Sequence, residues 1–161
     1  MNKPLYQDDI VLWSAEQARA LREAAAAQLN LPIPIDWDNV AEEIESLGRS
    51  ERSALRRHIG VIIEHLMKLE ASAAQDSRRG WIDSVLRERG EIEALLDDSP
   101  SLRREVAGML AWSMPRARRD VAGSLADHGG QPATDLDQLS YTEEQVLGDW
   151  FPAAAADRGQ S

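Results

Sequence analysis

Apolar residues recur along most of this chain at helical rather than strand spacing, and the clearest run spans Val40 to Leu69. At about 100° per residue, Val40, Ile44, Gly48, Leu55, Ile59, Ile62, Leu66 and Leu69 fall within an arc of roughly 100°, the buried face of a long amphipathic helix. The pattern predicts a helix from Asp38 to Ser72, and Trp37 joins the arc if the helix reaches it. Asp36 or Asp38 supplies the N-cap, and the acids that follow suit the positive end of the helix dipole. Gly48 is the weak point of the run. It either ends one helix and starts another or admits a close neighbour. The apolar phase agrees on its two sides, which favours one continuous helix.

The flanking segments also read as helix. Ser14-Ala15-Glu16-Gln17 has the form of a capping box, with Asp8 to Trp13 as a short turn before it and helix after it to about Gln28. Leu31-Pro32-Ile33-Pro34-Ile35 is a connector, because each proline pushes its predecessor into an extended conformation. A helix from about Arg78 to Leu96 is expected to bury Trp81, Val85, Ile92 and Leu95. Ser99 then caps a further helix with Pro100 in its first turn, and that helix carries Leu102, Val106, Met109, Leu110 and Ala117 towards Val121 and Leu125. Pro115 is expected to kink it, and Gly129 suits a left-handed cap at its end. Thr142-Glu143-Glu144-Gln145 is a second capping box, ahead of a short terminal helix. The expected fold is therefore all-α: a single-domain helical bundle over residues 1–152, with one long central helix, short helical elements at both ends, and a disordered tail at 153–161.

Composition narrows the function more than the fold. The 161 residues are enough to bury a real core, and the absence of cysteine excludes disulfides, thiolate zinc sites, iron–sulfur ligation and a Cys nucleophile. No apolar run approaches the roughly 20 residues of a membrane span, and the N-terminus lacks the order of a signal peptide, so a cytoplasmic location is expected. A net charge of −10 works against binding to a phosphate backbone, so nucleic acid is a disfavoured partner. The five tryptophans, Trp13, Trp37, Trp81, Trp112 and Trp150, are expected to be core anchors.

Several pieces, in order, resemble the bacterial domain-of-unknown-function family 29. They are Tyr6 with Asp8 or Asp9 and Trp13, then Asp36-Trp37 leading into Glu42-Glu43-Ile44-Glu45-Ser46-Leu47-Gly48-Arg49-Ser50-Glu51. His65-Leu66-Met67-Lys68, Ser77 with Trp81, and Ser99-Pro100-Ser101-Leu102-Arg103-Arg104 follow, and Ser140-Tyr141-Thr142 and Trp150-Phe151-Pro152 close the series. The resemblance covers nearly the whole chain and implies an all-helical domain, with Asp36, Trp37, Glu43, Ile44, Gly48, Glu51 and Trp81 as its structural signature. It implies no activity. The chain departs from the pattern at Leu69, where an aromatic is expected, and at Pro115.

Two constellations are candidates for chemistry. Glu42, Glu45 and Arg49, at i, i+3 and i+7, form one ridge of a helix nearly opposite the apolar arc. Such a ridge is usually a solvated face or one paired with arginines elsewhere. Its sharper reading is a carboxylate metal site that Glu42 and Glu45 build with His65 across helices. Glu51, His58 and His65 are spaced by seven, which spans about 10.5 Å of helix per step, so at most one of them can join any single site. His65, with Lys68 one turn on, is the best catalytic candidate on this reading. Serine nucleophiles lack the strained elbow they need, and no glycine-rich loop cradles phosphate. The leading expectation is thus a protein–protein interaction or regulatory module, antitoxin-like in kind, for a basic protein partner or a second copy of the chain. The rival is a metal-dependent helical-bundle enzyme. No cofactor is expected.

Overall fold

The computed structural model describes residues 5–27, 30 and 34–153. The expected helix end at Gln28, most of the proline connector and nearly all of the tail lie outside these residues. The described chain is all-α. Its helices are α1 (Leu5–Asp8), α2 (Ile10–Ala26), α3 (Trp37–Ala71), α4 (Arg78–Asp98), α5 (Val106–Asp127) and α6 (Glu143–Leu147), with 3₁₀ turns at Pro100–Glu105 and Leu136–Gln138. α3 runs unbroken for 35 residues through Gly48. Its start is capped as expected, the Asn39 amide donating to Asp36 Oδ1 at 3.2 Å. The chain forms two compact units, Met1–Leu55 with Ala94–Arg104, and Arg56–Glu93 with Glu105–Ser161, so α3 and α4 each contribute to both.

The first unit is organised around Asp9, which is 4% exposed. Its Oδ1 caps α2 by accepting the Leu12 amide at 2.9 Å. The same carboxylate accepts the Ser101 amide at 2.7 Å and the Ser101 hydroxyl at 3.0 Å. Burial pushes its pKa up, but hydrogen bonds from Leu12, Ser101 and Val11 outweigh burial and hold it below the ordinary 3.8. Two sequence expectations are corrected here. Ser14 does not start a helix; α2 begins at Ile10, and the buried Ser14 hydroxyl donates to the Val11 carbonyl at 2.9 Å. Nor does Ser99 cap the next helix. Its buried hydroxyl has no hydrogen-bond partner among the described residues, and the Pro100 segment is a 3₁₀ turn ahead of α5. In both places the carboxylate of Asp9 does what a serine was expected to do, locally at the start of α2 and across the fold at Ser101.

Gly48 marks a close approach within the same unit. A Cβ added there would lie 2.8 Å from Ser14 Oγ and 3.3 Å from the Arg52 guanidinium. The glycine is therefore kept in mid-helix by packing, despite a helix propensity about 1 kcal/mol poorer than alanine.

The second unit has the larger core. Ile59, Ile62, Ile63, Leu66 and Met67 of α3, Val85 of α4, and Val106 and Val121 of α5 are fully buried. The arc predicted for α3 holds here and loosens at its start, where Val40 is 39% exposed. Trp81 of α4 is half-buried in this unit, whereas Leu96, buried, and Leu95, half-buried, lie in the end of α4 that belongs to the first unit. α5 passes through Pro115 and stops at a Schellman turn: Gly129 has φ +70°, its amide bonds the Ala126 carbonyl, and the Gly130 amide bonds that of Leu125. The Thr142 capping box of α6 is present with both its bonds.

Three arginines hold the helix ends and loops of this unit. Arg89 is 8% exposed, and its Nε and Nη2 donate to the carbonyls of Val146 (2.9 Å), Gln145 (2.8 Å) and Trp150 (2.7 Å). The Phe151 ring lies 4.8 Å from the guanidinium carbon. Arg78 takes the Leu69 carbonyl at 2.7 Å and that of Ser72 at 3.5 Å, satisfying the end of α3. Arg118 bonds the carbonyls of Leu136 and Leu139 at 3.2 and 2.8 Å. Beside them, the buried Tyr141 hydroxyl donates to Glu70 at 2.5 Å, and burial followed by that bond raises its pKa.

Three outcomes are expected in solution. Gly48→Ala lowers stability by about 1–3 kcal/mol through overpacking, and urea unfolding of Ser14→Ala/Gly48→Ala recovers part of the loss; a stabilised Gly48→Ala would show that the approach is loose. Because the Asp9 pKa is depressed in the fold, its stabilisation is complete above the unfolded value and fades as pH falls through the folded one. The gap in unfolding free energy between wild type and Asp9→Asn should thus be full above the ordinary carboxylate range and shrink as pH falls below 3.8. Arg89→Lys, which keeps the charge but loses the fork, should cost at least about 2 kcal/mol. Limited proteolysis should then cut the α6 segment faster.

Candidate functional site

The acidic ridge of α3 is paired rather than open. Arg22 of α2 donates to Glu45 at 2.8 Å and to Glu42 at 3.3 Å, and Arg49 donates to Glu42 at 2.6 Å and to Glu45 at 3.5 Å. The hydrogen bond from Arg22 is the main reason the Glu45 carboxyl sits below its usual range. Each carboxylate thus meets two guanidinium groups on a solvated face. Glu45 and His65 lie twenty residues apart on α3, about 30 Å of helix at its normal rise. Glu42 and Glu45 belong to the first unit and His65 to the second. Among the described residues, no three His, Asp or Glu side chains are grouped so as to hold a metal ion.

The stripe spaced by seven divides into separate environments. His65 Nδ1 donates to the Val61 carbonyl one turn back at 2.8 Å, leaving only Nε2 for other work. His58 Nδ1 meets Glu88 Oε2 at 2.5 Å, both side chains being largely buried. Burial of Glu88 pushes its pKa up, but the bonds from His58 and Arg87 carry it below the usual value. Glu51 is half-buried, as are Trp37 and Ile44, while Glu43 is exposed and its carbonyl accepts the Ser46 hydroxyl at 2.6 Å.

Lys68 has a different setting. It lines a partly enclosed cavity of about 310 Å³ with Ser72, Ser77, Trp81, Ser124 and His128. Three stretches of chain build it: the last turn of α3, the start of α4 and the end of α5. Trp81, expected in the core, forms part of this wall and is half-buried.

Trp112 corrects the expectation that the tryptophans are core anchors. It is 53% exposed on α5. The guanidinium carbon of Arg56 lies 4.9 Å from its ring and that of Arg116 lies 5.8 Å away. The next helical turn brings Arg116 to the indole, an i,i+4 relation visible in the sequence. Arg56 comes from α3 and could not be paired with Trp112 by spacing. Arg116 also makes a long contact with Asp120 at 3.9 Å.

No described helix is long and apolar enough to cross a membrane. No curated protein matches the chain. A solved alpha-helical protein of unknown function from Rhodospirillum rubrum is similar in fold, with a TM-score of 0.76 over 98% of this chain and 99% of that one at 23% identity. Residues 5–151 match the family described as Domain of unknown function DUF29. The resemblance carried by Asp36-Trp37, the Glu42–Glu51 run and the closing Trp150-Phe151-Pro152 is thereby established: this chain belongs to the DUF29 family.

Proposed function

We propose that this protein is an interaction module, regulatory in role, that docks a protein partner on Trp112 and the two arginines beside it. The exposed indole flanked by Arg56 and Arg116 carries the reading. Trp and Arg are the residues most enriched where a few side chains dominate a protein interface. Stacking against the ring pre-organises each guanidinium, so less side-chain freedom is lost when a partner arrives.

Charge acts on two length scales here. The net charge of −10 favours encounter with a basic partner. Screening limits that pull to roughly 8 Å at physiological salt, so the groups in contact decide the pose. At Trp112 those groups are cationic, and they fit an apolar side chain laid on the indole with a carboxylate beside it. An antitoxin-like complex and self-association are both forms this module could take.

Since Trp112 is exposed, Trp112→Ala should change the unfolding free energy by no more than about 0.5 kcal/mol. A photoreactive residue at the exposed Ala111 should crosslink one protein in cells, which mass spectrometry identifies. Trp112→Ala should weaken that complex by about 2 kcal/mol or more, and Leu86→Ala, an exposed control, should not. An undiminished complex with Trp112→Ala would remove the patch from consideration.

A further inference from the structure

We propose that the cavity beside Lys68 is a binding site for a small organic anion, a carboxylate or phosphate monoester carrying a planar apolar group. This chain has 28 Asp and Glu residues, yet among the described residues none of them lines the cavity. Lys68 does, and its ammonium makes no hydrogen bond or ion pair among the described residues. Among its described residues, an acidic chain thus keeps carboxylates out of this cavity and leaves Lys68 without a charged partner.

The remaining wall suits the same ligand class. Ser72 Oγ accepts the Ala74 amide at 3.1 Å and keeps its own proton to donate. Ser77 and Ser124 add two further hydroxyls, the kind of neutral donor that completes an anion's shell. His128 gives Nδ1–H to the Ser124 carbonyl at 2.7 Å, so only its Nε2 can turn to a ligand. The carbonyls at the end of α3 would repel an anion, but those of Leu69 and Ser72 are bonded by Arg78 and that of Ala71 by the Ala133 amide at 2.8 Å. The Trp81 indole supplies the apolar surface. A volume of about 310 Å³ accommodates a small ring with one charged group. Lys68 would pair with the anion as a point charge, the hydroxyls would orient it, and the indole would select the planar group.

Backbone and indole NMR titrations of the full chain with phenyl phosphate, benzoate and neutral benzyl alcohol test the proposal. Saturable shifts at Lys68, Ser72, Ser77 and the Trp81 indole are expected with an anion and not with benzyl alcohol. Stronger binding of phenyl phosphate would identify a phosphate ester, and stronger binding of benzoate a carboxylate. Lys68→Met, which breaks no ion pair and should melt as wild type does, should weaken binding about tenfold or more, and Lys68→Arg should restore most of it. No saturable shift with either anion, equal binding of benzyl alcohol, or unchanged affinity in Lys68→Met would each overturn the assignment. The benzyl alcohol comparison uses the wild-type chain and stands whether or not the variant folds. Trp112 is no part of this cavity, so failure here leaves the docking patch untouched.

Discussion

Helix ends leave backbone amides and carbonyls without partners, and in this chain buried or half-buried charged side chains complete many of them. Asp9 takes the Leu12 amide in the first turn of α2 and the Ser101 amide of the 3₁₀ turn after α4. Arg78, Arg89 and Arg118 take seven carbonyl contacts between them, all from helix ends or irregular backbone. Hydrogen bonds to charged groups are among the stronger ones, at about 1.5–3 kcal/mol each, and they are directional. A short helix such as α6 has too little core of its own to hold its place. The Arg89 fork joins it, through Val146, Gln145 and Trp150, to a 21-residue helix that does have a core. Burial pulls the Arg89 guanidinium below its ordinary pKa, with Asp149 opposing the shift, which is consistent with a charge committed to structure.

This division of labour helps to separate structural charge from charge available for function. Glu42, Glu45, Arg22 and Arg49 neutralise one another on an exposed face, where such pairs contribute little stability and carry no open ligand position. Glu88 is similarly occupied by His58 and Arg87, and Glu70 by Tyr141. Against that background two places differ. Among the described residues, Lys68 has no ion-pair partner and its cavity no carboxylate, and Arg56 and Arg116 lean on an exposed indole. One offers a partly enclosed volume suited to a small molecule and the other an open surface suited to a protein. Both lie in the second unit, on different residues, so a regulatory module that reads a small anion while holding a partner is physically coherent.

The family placement adds no chemistry of its own. It does account for the repeated appearance of quoted family motifs at points of constraint: Gly48 against Ser14, Asp36 capping α3, Tyr141 on Glu70, and Trp150 and Phe151 beside Arg89. These positions are explained by packing and capping without reference to an activity.

The sequence by itself determined the elements whose causes are local. Helical periodicity located α3 and its buried face from Leu55 to Leu69; a side chain three residues away capped α3 and α6; a glycine able to take positive φ ended α5. Its reading failed where the partner of a group comes from elsewhere in the chain. Ser14 was a wrong choice between two local caps, since Asp9 begins α2 three residues before Leu12; for Ser99 the carboxylate involved lies ninety-two residues from Ser101 and no local pattern pairs them. Arg89 and the carbonyls it holds are more than fifty residues apart, and a carbonyl leaves no mark in a sequence. The same holds for the candidate sites. Lys68 was legible as a candidate because it follows His65 by one turn, yet its setting among described residues without a carboxylate is a property of α3, α4 and α5 packed together. Whether a tryptophan anchors a core or stands in solvent depends on which residues cover it, and only the tertiary structure decided that Trp112 is left uncovered.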